Sequence, residues 1–400
     1  MWQRSKMRLP FALFITLGFA SPSLFALGIR VPDQHASATG RGEAFVATAD
    51  NPSAIYYNPA GITQLEGDQF SIGAYGIDLK TEYTSPTGVR SESDNDPQAA
   101  PHIYYTHQFS DERFVAGFGF YTPYGLSNEY PDDAPFRTVG RKGSIQYLTF
   151  APTLAAKITS TLSVAASINY NHATAELSQG IFAPGDESRF KGDDGALSFK
   201  LGLLWQPTPQ HSFGVSYQSE SRFKLRGGFE NKPYTPREDA EADFNFPQFF
   251  IIGYSFRPTP EWNFEFNYDW TDWNELNDVT VTTASGSSAI AFNWENSAFY
   301  EFGITRKFGA VSLSVGYIYS ESSVPEANFS PLVPDSERHI FSAGFGYKAD
   351  AWSVDLAYQY AHGPERTIVN SVSPSLIGES ANGKYEFNSH AISLDFGIAF

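Results

Sequence analysis

Histidine is the side chain best suited to acid–base or metal chemistry near neutral pH, and this chain of 400 residues has eight of them. They are scattered over positions 35, 102, 107, 172, 211, 339, 362 and 390. None forms a recognisable nucleophile motif with a serine or an aspartate, and none has the spacing of a metal site. His390 and Asp395 share one predicted strand, but their parity places them on opposite faces. The sequence therefore predicts no catalysis, no metal site and no cofactor.

Three basic residues form a candidate anion site. Arg137, Arg141 and Lys142 stand close together before a predicted strand. A carboxylate that leaves water needs a basic partner, so this cluster could bind the head group of an acidic ligand; the phosphates of lipopolysaccharide are the alternative. The formal net charge of −17 argues against nucleic acid as a partner. Acidic residues gather in the long connections, which we interpret as solvated loops, or as contacts to lipopolysaccharide through divalent cations.

The elements that must position these residues show a two-residue period. Between Trp262 and Trp270, bulky apolar residues occupy every second position and polar residues the positions between them. Such a pattern places all the apolar groups on one face of a strand, whereas helical spacing would mix the two sets. The same split recurs in the ranges 312–320, 352–361 and 391–400.

The connections between these segments alternate between turn-sized and long. Transmembrane barrels have an even number of antiparallel strands, with short turns on the periplasmic side and long loops outside. A soluble sandwich or propeller has no reason to sort its loops in this way, and no stretch has the roughly 18 apolar residues of a spanning helix. The sequence therefore predicts a transmembrane antiparallel β-barrel of about 14 strands, near 69–84, 99–109, 113–121, 144–158, 162–178, 194–206, 211–227, 247–257, 261–271, 297–307, 310–320, 337–348, 352–362 and 387–400.

The N-terminal region divides into two parts. Residues 1–26 have the pattern of a signal peptide, with basic residues before an apolar run, and we place the cleavage site after Ala26. Residues 27–67 do not alternate, and we interpret them as a hatch that plugs the lumen of the barrel formed by 68–400; an ordinary terminal arm is the alternative. Asn51-Pro52 and Asn58-Pro59 predict two short helical turns within the hatch.

Several blocks of the mature chain resemble the FadL family of outer-membrane transport proteins (OMPP1/FadL/TodX type). The stretch from Ala44 to Gly61 is similar to the amino-terminal hatch of that family, and Gly117 to Leu126 is similar to its aromatic-Pro-aromatic-Gly-Leu stretch. Further blocks follow in the family's order at 151–155, 202–209, 270–273, 334–338 and Phe400. The resemblance implies a fourteen-stranded barrel plugged by its own N-terminus, in agreement with the strand count.

The resemblance also implies a function and a location. The family resides in the bacterial outer membrane and takes up hydrophobic compounds, above all long-chain fatty acids. It implies capture in a groove among the outer loops, transfer to a pocket bordered by the hatch, and lateral release at an inward kink in the third strand. Such a route must stay apolar, because transfer of an acyl chain into water costs about 0.8 kcal/mol of free energy per CH₂.

The candidate site residues follow from this implied route. For the pocket and its gate we expect the hatch residues Asn58, Pro59, Ala60 and Gly61. Gly117 and Gly119 are the candidates for the strand kink, although they could simply make room for aromatic neighbours. The candidates for the capture groove are Tyr121, Tyr124, Phe136 and Phe182, joined by the basic cluster Arg137, Arg141 and Lys142.

Other functions stay open at this stage. The same family includes channels for aromatic hydrocarbons, and nothing in the hatch or strands distinguishes that cargo from fatty acids. A general porin for polar solutes or a barrel enzyme is a further alternative. As partners we expect the hydrophobic ligand, outer-membrane lipid and lipopolysaccharide, and we expect a monomer because a plugged barrel is complete by itself.

Overall fold

A computed structural model describes residues 28–372, 375 and 377–400 of the chain. The predicted signal peptide lies outside the described residues. Within them, two short helices and a 3-10 helix precede the first strand: α1 (Ala36–Thr39), α2 (Ala54–Tyr57) and the 3-10 helix Pro59–Gln64. Short 3-10 helices also occur in two later loops, at Trp273–Glu275 and Glu326–Asn328. Within the described residues, no helix is long and apolar enough to cross a membrane.

The strands form one antiparallel sheet that closes on itself. They are β1 (Asp68–Thr84), β2 (Arg90–Glu92), β3 (Gln98–Gln108), β4 (Phe114–Tyr121), β5 (Gly125–Glu129), β6 (Lys142–Lys157), β7 (Leu162–Gln179), β8 (Glu187–Thr208), β9 (His211–Gln218), β10 (Ser221–Lys232), β11 (Thr235–Phe246), β12 (Phe249–Phe256), β13 (Trp262–Thr271), β14 (Asp278–Thr283), β15 (Gly286–Ala291), β16 (Ser297–Phe308), β17 (Val311–Ser320), β18 (Arg338–Lys348), β19 (Trp352–Ile368) and β20 (Gly383–Ala399).

Fourteen wall strands make up the closed barrel, which confirms the predicted fold class. Three of them consist of two segments each, namely β4 with β5, β9 with β10, and β11 with β12, while β2 and the hairpin β14–β15 lie outside this count. The first and last strands close the barrel along a register that runs from Gln69 opposite Ala399 to Thr84 opposite Lys384. Closure removes the free sheet edges, which a bilayer could not satisfy.

The apolar faces of the strands point outward. In β13, Phe264, Phe266 and Tyr268 are exposed, whereas the intervening Glu265 and Asn267 are buried toward the lumen. The same alternation runs along β8, where the outward face carries exposed leucine, phenylalanine and tryptophan side chains between residues 197 and 205. A continuous apolar outer band around a polar interior is the arrangement of a barrel in a bilayer.

Strand boundaries differ from the sequence prediction mainly at the long-loop end. β8 begins at Glu187 rather than near 194, and the predicted loop between 227 and 247 is instead a hairpin formed by β10 and β11. These extensions carry charged residues on their outer faces, such as Arg226 and Glu241, which form a salt bridge across the hairpin. Because they extend beyond the apolar band, they lack the apolar/polar alternation on which the prediction relied.

The N-terminal segment, residues 28–67, lies inside the barrel. From 28 to 65 all its residues are buried except 37, 50, 51 and 64. The predicted helical turns are present as α2 and the 3-10 helix, and Asn58 caps the latter by accepting a hydrogen bond from the Ala60 N–H at 3.2 Å. The segment contacts the inner faces of strands around most of the barrel.

Close approach of this segment depends on glycines in the wall. A Cβ atom on Gly117 or Gly119 would stand 2.8 or 2.9 Å from the side chain of Ile55, and one on Gly202 would stand 2.5 Å from Asn58 Oδ1. Real Cβ atoms do not approach other atoms so closely. The N-terminal segment therefore packs directly against the wall at these positions, through the Ile55 side chain at Gly117 and Gly119 and through Asn58 and the Ala60 nitrogen at Gly202.

The third wall strand is interrupted, but at a different place from the predicted kink. Through Gly117 and Gly119, β4 pairs in regular register with both β3 and β6. The strand breaks at residues 122–124, where Val31 N–H donates to the Pro123 carbonyl at 2.8 Å and Gly125 N–H donates to the Ile29 carbonyl at 2.9 Å. The two glycines make room for Ile55, and the interruption arises because the wall strand turns inward to bond the N-terminal segment.

Candidate functional site

The inner face of β13 holds the N-terminal segment through polar side chains. Glu265 accepts hydrogen bonds from the Ala47 N–H at 2.7 Å and from the Thr48 hydroxyl. Asn267 donates to the Glu43 carbonyl at 3.1 Å. Buried polar groups are costly without partners, so this row of strand side chains fixes where the segment sits in the lumen.

Two cations, Arg30 and Lys200, lie deep in the lumen near the carboxylate of Asp269. Arg30 Nη1 forms a salt bridge of 2.6 Å with Asp269 Oδ1 and a hydrogen bond of 2.9 Å with Thr271 Oγ1. Lys200 is fully buried on the inner face of β8, and its ammonium group donates to the Tyr56 carbonyl. Asp269 therefore interacts with both cations, and the buried Glu301 interacts with Arg30 as well.

Hydrogen-bonding capacity remains free at this cationic site. Nε and Nη2 of Arg30 are buried and have no hydrogen-bond partner among the described residues. The guanidinium lies over the ring of Phe249 at 3.7 Å, and Lys200 Nζ lies 4.4 Å from the centroid of the Tyr56 ring. A ligand carboxylate that reached Arg30 would supply acceptors for these two N–H groups.

A cavity lined by aromatic and polar side chains adjoins the two cations, and Tyr56 and Phe249 contact both the cavity and the cations. The cavity, called the inner cavity below, has a volume of about 10 Å³, which is room for roughly one water molecule. Its aromatic walls pack edge to face, with ring centroids 5.2 Å apart for Tyr56 and Tyr121 and 5.0 Å apart for Tyr124 and Tyr147. A larger ligand would have to displace these side chains.

The interrupted third strand leaves an opening in the wall beside this region. β3 pairs with β4 only from Ile103 to Gln108, so that residues 98–102 of β3, which pair with β1 on one side, have no ladder partner on the side of the interruption. Above it, the wall closes again where the Asp94 N–H donates to the Glu129 carbonyl at 2.8 Å. The opening is thus bounded by paired backbone at both ends.

Below the N-terminal segment, at the end of the barrel with short turns, lies a wide polar vestibule. It has a volume of about 520 Å³. Charged side chains line it, including Arg41, Asp50, Arg257, Lys307 and Asp355. Such a vestibule suits water and ions and is a poor environment for an apolar molecule.

The predicted groove residues occupy two different places. Tyr121 and Tyr124 lie in the lumen, where both line the inner cavity, and the Tyr124 hydroxyl donates to the Pro247 carbonyl at 2.8 Å. Phe136 is fully buried in the outer-loop core between Tyr83 and Tyr130. These three residues therefore do not form an exposed capture surface, whereas Phe182 is 57 % exposed on its loop.

The basic cluster is neutralised by neighbouring carboxylates. Arg137 forms salt bridges with Asp132 at 3.0 Å and Asp186 at 3.1 Å. Arg141 pairs with Glu187 at 2.6 Å and with Glu129 at 3.4 Å, and the same Glu129 pairs with Lys142 at 3.3 Å. Because each cation already has an acidic partner, this cluster is less suited to bind a ligand carboxylate than the buried pair Arg30 and Lys200.

Asp186 organises the loop that carries Phe182. Burial alone would raise the pKa of Asp186, but N–H groups of Ile181, Ala183 and Phe182, together with Arg137, hold this pKa well below its ordinary value. The three N–H donors lie 2.7, 2.8 and 2.7 Å from its carboxylate. The ionised side chain thereby fixes the loop against the outer rim.

The predicted gating residues lie together at the contact between the N-terminal segment and the wall. Asn58 Nδ2 donates to the Val46 carbonyl at 2.9 Å and to the Leu203 carbonyl of β8 at 3.0 Å. Pro59, Ala60 and Gly61 follow in the 3-10 helix and are buried. Asn58 thus ties two parts of the segment to the barrel, close to Lys200 in the same strand.

Several residues of the site were missed from the sequence. Lys200 and Asp269 were not singled out, because a lone charge on an alternating strand is usual for a water-filled lumen, and Arg30 lies in the N-terminal segment, which has no alternating pattern. Asp395 was considered only with His390, which does lie on the opposite face; instead its carboxylate accepts from His102 Nε2 at 2.7 Å and from the Ala36 N–H at 2.7 Å. These residues could have been identified from one signal: a charged side chain that faces a filled lumen needs a partner of opposite charge or a hydrogen-bond partner there.

Comparison with known proteins agrees with this architecture. Residues 17–400 match the family described as outer membrane protein transport protein (OMPP1/FadL/TodX). A long-chain fatty acid transport protein of Escherichia coli O6:H1 is 23 % identical over 448 residues, which cover 97 % of both chains. A FadL homologue of Pseudomonas aeruginosa superposes with a TM-score of 0.84 at 18 % identity, over 93 % of this chain and 100 % of that one.

The toluene transporter TodX of Pseudomonas putida has the same fold, with a TM-score of 0.76 at 15 % identity over 94 % of this chain and 100 % of that one. A closed barrel of fourteen strands with an apolar outer band is the architecture of an outer-membrane protein. The chain belongs to the OMPP1/FadL/TodX family of outer-membrane transporters for hydrophobic compounds.

Proposed function

We propose that this protein takes up long-chain fatty acids across the outer membrane, and that Arg30 and Lys200 bind the carboxylate. The single observation that carries the choice of ligand is the buried pair of cations with one shared carboxylate, Asp269, and free donors on Arg30. A carboxylate placed there would gain charge-assisted hydrogen bonds. An alkylbenzene has no acceptor for these donors.

The proposed route begins at the outer loops. The exposed Phe182 and its neighbours offer an apolar landing surface, and Asp186 holds that loop in place. The acyl chain then moves to the inner cavity beside Tyr56, with displacement of the aromatic side chains that now fill it. Asn58 and the 3-10 helix that follows it set the position of Tyr56 through α2, and so act as the gate.

Release is proposed to be lateral, through the opening at residues 122–124. The polar vestibule below the N-terminal segment supports this choice, because passage of an acyl chain through it would cost about 0.8 kcal/mol of transfer free energy per CH₂. The wall opening leads instead from the segment's contact with Pro123 toward the apolar outer band. The protein acts in this account by binding and guiding its ligand, without chemical change.

A second candidate is uptake of aromatic hydrocarbons. The observation that favours it is the cluster of tyrosines around the inner cavity, since rings pack well edge to face. The structural likeness to the toluene transporter TodX concerns the fold alone.

The test is direct binding to the purified, detergent-folded protein, with labelled oleate in competition with unlabelled fatty acids and with toluene. We expect saturable binding of oleate that other long-chain fatty acids displace and toluene does not. Binding of toluene without binding of oleate would contradict the fatty-acid proposal and favour the hydrocarbon candidate.

A further inference from the structure

The barrel wall contains a second interruption, away from the one at residues 122–124. Pairing of β8 with β9 ends at Lys200 opposite Gln218, and pairing of β8 with β10 starts again at Asp193 opposite Arg226. Residues 194–199 of β8 therefore face residues 219–225 without ladder register. We call this region the slot. Paired backbone closes it at both ends.

One backbone hydrogen bond, from the Ser219 N–H to the Phe199 carbonyl at 2.9 Å, remains at the lower end of the slot, and side chains bridge the rest. Gln218 Nε2 donates to Ser198 Oγ at 2.9 Å, and the Phe199 N–H donates to Ser219 Oγ at 2.9 Å. Higher up, the Lys224 N–H donates to a carboxylate oxygen of Asp194 at 2.8 Å. Side-chain bonds of this kind can open one by one, whereas a ladder of backbone bonds resists separation along its whole length.

Ser219 reaches both surfaces of the wall. On the outside, the slot lies in a groove of about 610 Å³, called the outer groove, whose apolar lining includes Leu197, Phe199 and Tyr217. On the inside, Ser219 lines the inner cavity beside Tyr56 and Phe249. Ser219 therefore separates the outer groove from the inner cavity, which is the proposed ligand cavity.

The apolar lining of the outer groove fits an acyl chain, and the cations that would receive its carboxylate lie on the inner side of the wall. In the groove itself, Arg222 forms a salt bridge of 2.7 Å with Glu220, and Glu275 lies nearby. Inside, Phe249 lies between the inner cavity and the cations Lys200 and Arg30. A single acyl chain would lie against Leu197 and Phe199 while its carboxylate passes inward to the buried pair.

We infer that the slot is a second side gate, through which a long-chain carboxylate passes between the outer groove and the inner cavity. This inference rests on the proposed function, because it assigns the same ligand to a second passage. It places the latch of the gate at Gln218, Ser198 and Ser219, none of which belongs to the interrupted third strand.

The experiment uses the absence of cysteine from the native chain. A single Ser219→Cys substitution places a thiol in the slot, and Ser216→Cys serves as the matched control, because Ser216 is fully buried in β9 within regular ladders. Both full-length variants are reconstituted in phospholipid vesicles and treated with a maleimide dissolved in the bilayer. The rate of thiol modification is followed with and without oleate.

We expect Cys modification to be about tenfold faster in the Ser219→Cys variant than in the Ser216→Cys variant, because local opening exposes the slot. Oleate at ten times its dissociation constant should slow modification about tenfold by occupying the site. Equal rates at the two positions would overturn the side gate. A fast rate that saturating oleate leaves unchanged would overturn passage of the ligand.

A separate measurement of oleate binding to the unsubstituted protein keeps the two proposals distinguishable. If that protein binds no oleate, the fatty-acid function fails, and with it the ligand assigned to the slot. The difference in rate between the two cysteine variants would still decide whether the slot opens to the bilayer.

Discussion

At the scale of single residues, Lys200 carries the greatest weight. It is a lysine on the inner face of a strand, fully buried, with the Tyr56 carbonyl as its hydrogen-bond acceptor. Burial disfavours an ammonium ion unless a counter-charge is near, and Asp269 is already bound to Arg30. Burial of Lys200 therefore destabilises the ligand-free protein, and the proposed ligand carboxylate would offset this effect.

Replacing this lysine tests its role. We expect Lys200→Met to weaken oleate binding about tenfold, since one charge-assisted hydrogen bond contributes roughly 1.5 kcal/mol or more, and to leave toluene binding unchanged. Lys142→Met is the control, because Lys142 is half-exposed and pairs with Glu129 on the outer rim. Isothermal titration with both ligands measures the effect. Equal oleate affinities for the two variants would contradict the assigned carboxylate site.

Asn58 gives a second prediction at this scale. Asn58→Ala removes the cap of the 3-10 helix and leaves the Val46 and Leu203 carbonyls without this donor, at a cost of about 1 kcal/mol for the cap alone. We expect lower oleate uptake by cells, with the amount of folded barrel in the outer membrane unchanged. Unchanged uptake would count against a gating role for Asn58.

At the scale of elements, the N-terminal segment and the wall are matched through small residues. At Gly202 an added Cβ would stand 2.5 Å from Asn58 Oδ1 and 2.8 Å from the Ala60 nitrogen. At Gly76, in β1, the nearest atoms are 3.7 Å from such a Cβ, which is ordinary contact. The two glycines therefore allow a controlled comparison.

We expect Gly202→Ala to loosen the N-terminal segment, because the segment must shift while the barrel ladder stays paired, and Gly76→Ala to have little effect. Hydrogen exchange of residues 54–64 measures this, with faster exchange in the first variant. The exchange of the wall strands should be the same in both variants. Unaltered exchange of the segment in Gly202→Ala would show that its contact with β8 is not tight.

The loop between β7 and β8 gives a prediction about pH. The pKa of Asp186 is lowered in the folded loop, so its stabilising effect is complete above the ordinary pKa of about 3.9 and is lost as the pH falls toward the lowered value. We expect amides 181–183 to be well protected from exchange at pH 5 to 7, and less so below about pH 4. In Asp186→Asn, protection should already be low at pH 7; equal protection in the two proteins there would refute this.

How far the sequence could predict these elements depends on what each one contacts. The wall strands were predictable, because one face meets lipid and so imposes a two-residue period, as in β13. The extensions of β8, β10 and β11 were not, because they stand in water and carry charges on the outer face. The interruption at residues 122–124 was placed too early, since it depends on backbone bonds to Ile29 and Val31 that no local pattern encodes.

The same reasoning explains the mixed result for the candidate site. Asn58 was predicted as a cap because an asparagine followed by proline is a local signal, and as a gate residue because of the family resemblance; the structure places it against β8. Tyr121 and Tyr124 were assigned to an outer groove, yet they line the inner cavity, because the chain turns inward just after β4. The pair of Arg30 and Lys200 joins positions 170 apart in sequence, which only the closed barrel brings together.

At the scale of the whole molecule, the barrel separates two environments for its cargo. The outer wall is apolar and the vestibule under the N-terminal segment is charged. In the proposed route, a hydrophobic molecule leaves through an opening in the wall toward lipid instead of water. An open pore would instead expose an acyl chain to water along its whole path.

The measurement that tests the central claim most directly is uptake of labelled oleate by cells that lack their own outer-membrane fatty acid transporter. The account predicts that production of this protein restores saturable oleate uptake, and that Lys200→Met lowers it while leaving the amount of folded barrel unchanged. Uptake that stays at the background level, with folded protein present in the outer membrane, would contradict the account.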